Sequence, residues 1–230
     1  MLTFSSIGEY GRLGNQMFQI ASTIGMAMNT DQLFRFNRVP MCFNALITYM
    51  GDLPALERYE IPWGYHDLTI YNKDLHGYLQ SEKYFKHCEK YIKWLFLFDS
   101  YPPKPFNEFI AVHIRRGDYD NKHHVLLDRA YYENALNQLP NIPIIVFTDD
   151  IKEAMNVLPN CDRYLSGCPM YDMALMTLAD YHVIANSSFS WWGSWLADSK
   201  KIIAPSKWFG PALWHIFTPD DIYTEKMQII

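Results

Sequence analysis

Positive charge, paired cysteines and long apolar runs are all scarce in this chain. Its 20 lysines and arginines face 25 aspartates and glutamates, a formal net charge of −5 over 230 residues. That balance argues against a general nucleic-acid partner, because no basic surplus remains to neutralise a phosphate backbone. Any anion site must therefore be local. The four cysteines, Cys42, Cys88, Cys161 and Cys168, form no C-x-x-C pair and show no paired spacing with histidines. Neither a zinc site nor a disulfide framework is indicated, and a reduced, cytoplasmic setting is the expectation. No stretch approaches the ~18–20 apolar residues of a membrane span. The opening "MLTFSSIGEYGRLGNQ" also lacks a basic region followed by an apolar run, so a soluble chain is expected.

Apolar and aromatic residues, by contrast, are plentiful. With 49% hydrophobic residues, the chain has material for one large core or two smaller ones. Aromatic residues make up 16%. That richness is compatible with carbohydrate contact, since the C–H faces of sugars pack on rings, but a large core produces it too.

From Phe109 onward, strand and helix patterns alternate. "FIAVHI", "PIIVFT" (143–148), "HVIAN" (182–186) and "KKIIAP" (200–205) read as strands. "RAYYENALNQL" (129–139), "DIKEAMNVL" (150–158), "MYDMALMTLADY" (170–181) and the stretch opened by "FSWWGSWLA" read as helices. Continuous apolar strands separated by helices predict a parallel sheet covered on both faces, with ligands beyond the carboxyl ends of its strands. Arg115, Asp149 and Asn186 all lie at such ends. Earlier in the chain, Leu13, Met17, Ile20, Ile24 and Met28 predict a helix starting near Leu13. "QLFRF" reads as a strand and Glu82 to Phe98 as a helix, while residues 37 to 80 receive no assignment. The proline-rich "DSYPPKPFNE" (99–108) suggests a boundary between residues 1–106 and 107–230.

Four stretches carry chemistry. In "VHIRRGDYD" (112–120), period-two alternation puts His113 and Arg115 on one face of the strand exit, and Ile114 and Arg116 on the other. One arginine can then enter a cleft while the other turns inward to a carboxylate. A guanidinium suits phosphate because its planar fork makes parallel, charge-assisted hydrogen bonds, and Gly117 permits a sharp turn. The plainer reading is an Arg–Asp surface network, for example Arg116 with Asp118. Asp118 and Asp120 also form a D-x-D, a pattern used to hold divalent cations, though the adjacent arginines would make a metal redundant. In "VFTDD", one aspartate is expected to cap the following helix and the other to accept from a ribose hydroxyl or a guanine N–H. In "NSSFSWWGSWL" (186–196), Ser187 and Ser188 stand where helix capping and anion binding coincide, while Trp191, Trp192 and Trp195 read as core. "GRLGNQ" (11–16) fits neither dinucleotide nor P-loop spacing. His66, His182, His215 and the His123–His124 pair read as ordinary surface or core residues.

Taken together and in this order, "GRLGNQMFQ", "HIRRGDY" and "NSSFSWWGSWL" resemble the α-1,2-fucosyltransferase family, over a span from Gly11 to about Phe209. The resemblance implies an α/β fold with a GT-B-like arrangement of two Rossmann-type lobes. It also implies GDP-β-L-fucose as donor, the 2-hydroxyl of a galactose-containing glycan as acceptor, inversion at the anomeric carbon, and no required cofactor or metal. On that resemblance Arg115 matches the arginine that binds the donor diphosphate, with His113 beside it. Gly14 and Asn15 match positions approaching the donor from the N-terminal lobe, and Ser187, Ser188 and Phe189 match a segment closing over phosphate and nucleotide. Asp149 is a looser match to an acidic residue on the nucleoside. Inversion calls for a base, for which Asp118 is the candidate, with Asp120 or His123 as substitutes. The chain is shorter than typical members, and the part before Glu82 looks trimmed, which leaves the acceptor open. A lipid-linked acceptor would be compatible with peripheral membrane attachment. Three other readings stay open: a metal-dependent nucleotide-sugar transferase using Asp118 and Asp120, a catalytically silent nucleotide-sugar or glycan-binding module, and a purely structural fold in which Arg115 and Arg116 pair internally.

Overall fold

A computed structural model describes residues 1–38 and 50–230. The chain divides into two compact units, Met1–Asp99 with Asp220–Ile222, and Ser100–Pro219 with Tyr223–Ile230. The return of residues 220–222 to the first unit has no mark in the sequence. The Asp221 carboxylate anchors it, accepting from Tyr65 N (2.8 Å) and Lys83 Nζ (2.6 Å).

In the first unit, β1 (Leu2–Thr3), α1 (Leu13–Asn29), β2 (Phe34–Arg35), β3 (Glu57–Glu60), β4 (Lys73–His76) and α2 (Glu89–Leu95) follow in chain order. The strands form a parallel sheet ordered β2-β1-β4-β3. Helix α1 begins at Leu13, where the apolar spacing predicts it, and is buried along most of its length. The strands β3 (ERYE) and β4 (KDLH) fall within the unassigned stretch. They are short and polar, so neither leaves an apolar run to read. The helix expected from Glu82 to Phe98 is instead two 3-10 turns, Glu82–Tyr84 and Lys86–Cys88, followed by α2. Phe85 (φ −133°, ψ 5°) leaves helical geometry between the turns, and its side chain is fully buried. Cys88, Cys161 and Cys168 are free thiols, and Cys42 lies outside the described residues.

The second unit runs β5 (Ile110–Ile114), α3 (Arg129–Leu136), β6 (Ile144–Thr148), α4 (Ile151–Val157), β7 (Arg163–Leu165), α5 (Pro169–Met176), β8 (Tyr181–Val183), α6 (Ser188–Leu196), β9 (Lys201–Ala204) and β10 (Met227–Ile229). Its six strands are all parallel and ordered β10-β9-β8-β5-β6-β7. Counted in chain order within the unit they read 3-2-1-4-5-6, the Rossmann arrangement. Alternation along the strands fills both faces. Ile110, Val112, Ile114 and Val146 pack with Tyr132, Ala135 and Ala154 from α3 and α4. Phe109, Ala111, Ile145 and Phe147 pack with Leu175 and Met176 from α5. Helix α5 stops at Met176, short of the expected Tyr181, because Asp180 already pairs at the amino end of the central strands: its N–H donates to Phe109 O (3.1 Å) and its C=O accepts from Lys200 N (2.8 Å). Among the described residues, no helix is long and apolar enough to cross a membrane.

Close helix packing in the first unit depends on Gly25. A Cβ there would lie 2.2 Å from Tyr84 O and 2.8 Å from Phe85 Cα. Alanine favours helix by about 1 kcal/mol over glycine, yet both contacts are backbone and cannot step aside. Gly25→Ala is therefore expected to destabilise the chain by about 1–3 kcal/mol, the usual cost of overpacking, read as a lower urea midpoint.

Candidate active site

Strand β5 runs to α3 and β6 on one side, whereas α5 carries the chain back to β8 on the other. The topological switch point of the sheet therefore lies between the carboxyl ends of β5 and β8, the place where such sheets open a crevice. Arg115 and Arg116 leave β5 there, and Asn186, Ser187 and Ser188 follow β8.

Three tyrosine hydroxyls hold these strand ends. From α3, Tyr132 donates to His113 O (3.1 Å) and Tyr131 to Ile184 O (2.7 Å). Tyr119 donates to Asn186 O (2.7 Å). The buried Asn186 side chain in turn donates to Val125 O (3.1 Å) and Trp208 O (2.7 Å). Burial pushes the Tyr119 phenol up to about 12, partly offset by the Arg115 charge, so the hydroxyl remains a donor at neutral pH. Its ring lies 5.4 Å from the Arg115 guanidinium carbon, a cation–π distance, and stacks on His124 at 4.7 Å. Tyr119 thus joins the arginine to the segment after β8. Sequence reasoning passed over it as the central residue of a D-x-D.

The two arginines divide differently from the expected pattern. Arg116 turns inward, but its guanidinium donates to the carbonyl of Leu127 (2.7 Å) rather than to a carboxylate. Arg115 takes both acids: Nη2 donates to Asp118 Oδ1, and Nη1 lies 2.8 Å from Asp149 Oδ2. The second contact is off-axis, since buried Asp149 Oδ2 receives no aligned hydrogen bond. Asp149 Oδ1 accepts from Arg116 N (2.8 Å). Asp149, expected to face a nucleoside, is thus engaged by the backbone and side chain of the arginine pair, while Asp150 caps α4 through Glu153 N (3.0 Å). Gly117 is required here because a Cβ would lie 2.2 Å from Asp149 Oδ2. Asp120 is engaged apart from Asp118, accepting from Lys122 N, His123 N and the His123 ring, and these bonds hold its carboxyl well below the usual range. Among the described residues, no three His, Cys, Asp or Glu side chains form a group suited to a metal.

His113 faces α6, with Nδ1 2.8 Å from Ser190 Oγ and its ring 5.5 Å from Phe189. Burial and the Arg115 charge push the imidazole down to about 3, so it is neutral at physiological pH. Ser187 caps α6 through a long bond from Phe189 N (3.4 Å), and Ser188 opens the helix. The tryptophans are core as expected: Trp191 and Trp192 are fully buried, and the Trp191 ring centroid is 5.8 Å from that of Trp195. Gly14 and Asn15 belong to the first unit, where Asn15 Oδ1 accepts from Gln80 Nε2 (2.7 Å). Asn15 also accounts for Gly11 (φ +86°), since a Cβ there would lie 1.9 Å from Asn15 Nδ2. A guanidinium at the switch point with one exposed carboxylate partner can bind an anionic ligand.

A family model described as Glycosyl transferase family 11 matches residues 3–210. The chain belongs to that family. This family-11 glycosyltransferase is 40% identical over 116 residues to the O-antigen biosynthesis glycosyltransferase WbnK of Escherichia coli, a match spanning 43% of this chain and 38% of that relative. It is 29% identical to an alpha-1,2-colitosyltransferase of Escherichia coli over a 271-residue alignment, covering 91% of this chain and 93% of the relative. Mouse galactoside alpha-(1,2)-fucosyltransferase 2 is 25% identical over 248 residues, 86% of this chain and 69% of that one.

Two buried, neutral histidines give the glycosyltransferase a pH signature. His113 is held near 3 and His182 near 4 by burial, against 6.5 for a free imidazole. The unfolded chain binds more protons in that window, so the stability these groups confer is complete above about 6.5 and is lost as pH falls toward 4 and then 3. Urea titrations from pH 7 to 5 are expected to show stability falling, at a slope approaching about 1.4 kcal/mol per pH unit for each histidine. A midpoint unchanged over that range would contradict neutral burial.

Proposed function

We propose that this glycosyltransferase moves L-fucose from GDP-β-L-fucose to the 2-hydroxyl of a galactoside within a glycan, inverting the anomeric carbon and needing no metal. The observation that carries the reading is Arg115 at the switch point of a 3-2-1-4-5-6 sheet. Its side chain is one-seventh exposed and its guanidinium adjoins an exposed carboxylate. In this scheme, negative charge grows on the β-phosphate as the glycosidic C–O bond lengthens. Arg115 and the first turn of α6, with Ser187 and Ser188, stabilise that charge more in the transition state than in the ground state. His113, neutral and buried, supports the arginine without adding a competing charge, and Phe189 covers the nucleotide side. Asp118 takes the acceptor proton as the new bond forms. Gly14 and Asn15 are assigned as donor contacts from the first unit on the motif resemblance. A lipid-linked glycan acceptor would bring the chain to a membrane face.

The specific sugar is the finer part of this proposal. The near full-length similarity to a colitosyltransferase favours a second donor, the colitosyl analogue. Colitose is fucose without its 3-hydroxyl, so both sugars present the same leaving group and anomeric chemistry. The deciding experiment offers GDP-fucose and GDP-colitose with a panel of β-galactosides, with linkage analysis of the product. Fucosyl transfer to O2 is the expected result. Exclusive use of the colitosyl donor would move the assignment to it, and transfer abolished by a chelator and restored by a divalent cation would remove metal independence. Arg115→Ala is expected to stay folded and lose at least about 10²–10³ in kcat, the effect of deleting one donor to a developing oxyanion. A near-normal kcat in that variant would overturn the mechanism.

A further inference from the structure

The two carboxylates on Arg115 are not equivalent. Asp149 leaves β6, where Oδ1 is tied to Arg116 N at 2.8 Å and the Gly117 backbone packs against Oδ2, and its side chain is 21% exposed. Asp118 sits three residues beyond Arg115 on the loop after β5, and its side chain is 57% exposed. One acid is built into the carboxyl end of an interior strand. The other lies on the solvent side of the same guanidinium, where an incoming phosphate oxygen would have to sit.

We propose that Asp118 is an exchangeable latch on Arg115 and that Asp149 is the positioning residue that keeps the guanidinium aimed, so that the donor diphosphate binds by displacing one carboxylate and not the other. The inference rests on the donor reading above and deepens it. The exchange makes and breaks no covalent bond: a phosphate oxygen replaces Asp118 Oδ1 as the acceptor at Nη2, while Nη1 stays beside Asp149. Three consequences follow from the geometry. Asp118 is an intramolecular competitor for the anion, because it occupies the donor group that the anion needs. Its departure frees a carboxylate only when the diphosphate is in place, so the base comes free with the donor already bound and the acceptor adds second. The Tyr119 ring, held by its hydroxyl on Asn186 O and lying against the guanidinium, keeps the arginine from following the departing acid.

The arrangement makes a prediction that simple electrostatics does not. Removing either negative charge beside an anion site should tighten anion binding if charge alone matters. A latch and an anchor give opposite signs. By calorimetric titration with GDP, Asp118→Asn is expected to bind about two- to tenfold more tightly than the parent, the scale of a released, partly exposed ion pair plus one like charge removed. Asp149→Asn keeps an acceptor for Arg116 N and is expected to bind about tenfold or more weakly, because the guanidinium loses its fixed partner. Melting temperatures separate a folded Asp149→Asn from a collapsed one, and if it fails to fold, exposed Asp118 decides alone. GDP binding that is lost in Arg115→Ala but unchanged or weaker in Asp118→Asn overturns the latch and leaves the donor site standing. Tightening in both aspartate variants overturns the anchor. A parent chain that does not bind GDP at all sinks the donor reading and takes this inference with it.

Discussion

Two guanidinium groups emerging side by side from the end of a buried strand are the constraint around which the second unit is arranged. Each must be neutralised or hydrogen-bonded, and one polypeptide turn cannot supply partners for both. The fold meets the demand by distributing it. Arg116 spends its charge-assisted hydrogen bond on the Leu127 carbonyl, and its own N–H goes to Asp149. Arg115 lies between Asp149 from the neighbouring strand and Asp118 from its own loop. Gly117 is the backbone's part of that solution, since any larger residue would occupy the volume of the Asp149 carboxylate.

Around this centre the switch point is held by hydroxyls rather than by charges. Tyr131, Tyr132 and Tyr119 each close one carbonyl at or beyond a strand end, and burial keeps their phenols protonated. His113 is likewise neutral, against Ser190 in the core. Apart from its two carboxylate partners, the arginine therefore carries its charge into a neighbourhood of neutral dipoles. Such a setting strengthens an anion contact without adding a competing cation. Membership of glycosyl transferase family 11 gives that centre its chemical context, and the 3-2-1-4-5-6 strand order explains why it stands where it does.

Much of the second unit was legible because its strands are apolar runs separated by amphipathic helices. β5, β6 and β9 fall where "FIAVHI", "PIIVFT" and "KKIIAP" place them. β7 (RYL) and β10 (MQI) left no such trace, being three residues each at the ends of the sheet order, where one side goes unpaired. In the first unit the 17-residue α1 was readable from its spacing, whereas two-residue β1 and polar β3 and β4 were not. Of the candidate site, Arg115, His113 and the Ser187–Phe189 segment could be picked out because each sits at an exit from an apolar run. Tyr119 could not, because a tyrosine between two aspartates looks like a spacer until the chain folds and its ring meets a guanidinium.

The sequence by itself determined that the second half builds a parallel sheet with helices on both faces, that two arginines leave its first strand, and which motifs place the chain among glycosyltransferases. These follow from local periodicity and from residue identity. The partner of each arginine was decided only by tertiary structure. Asp118 and Asp149 are 3 and 34 residues from Arg115 in sequence, and a carboxylate's choice among several nearby cations depends on strand register and side-chain direction across a sheet. The two acids are the same residue type. Partial burial at the carboxyl end of β6 and exposure on a loop are what set the two apart.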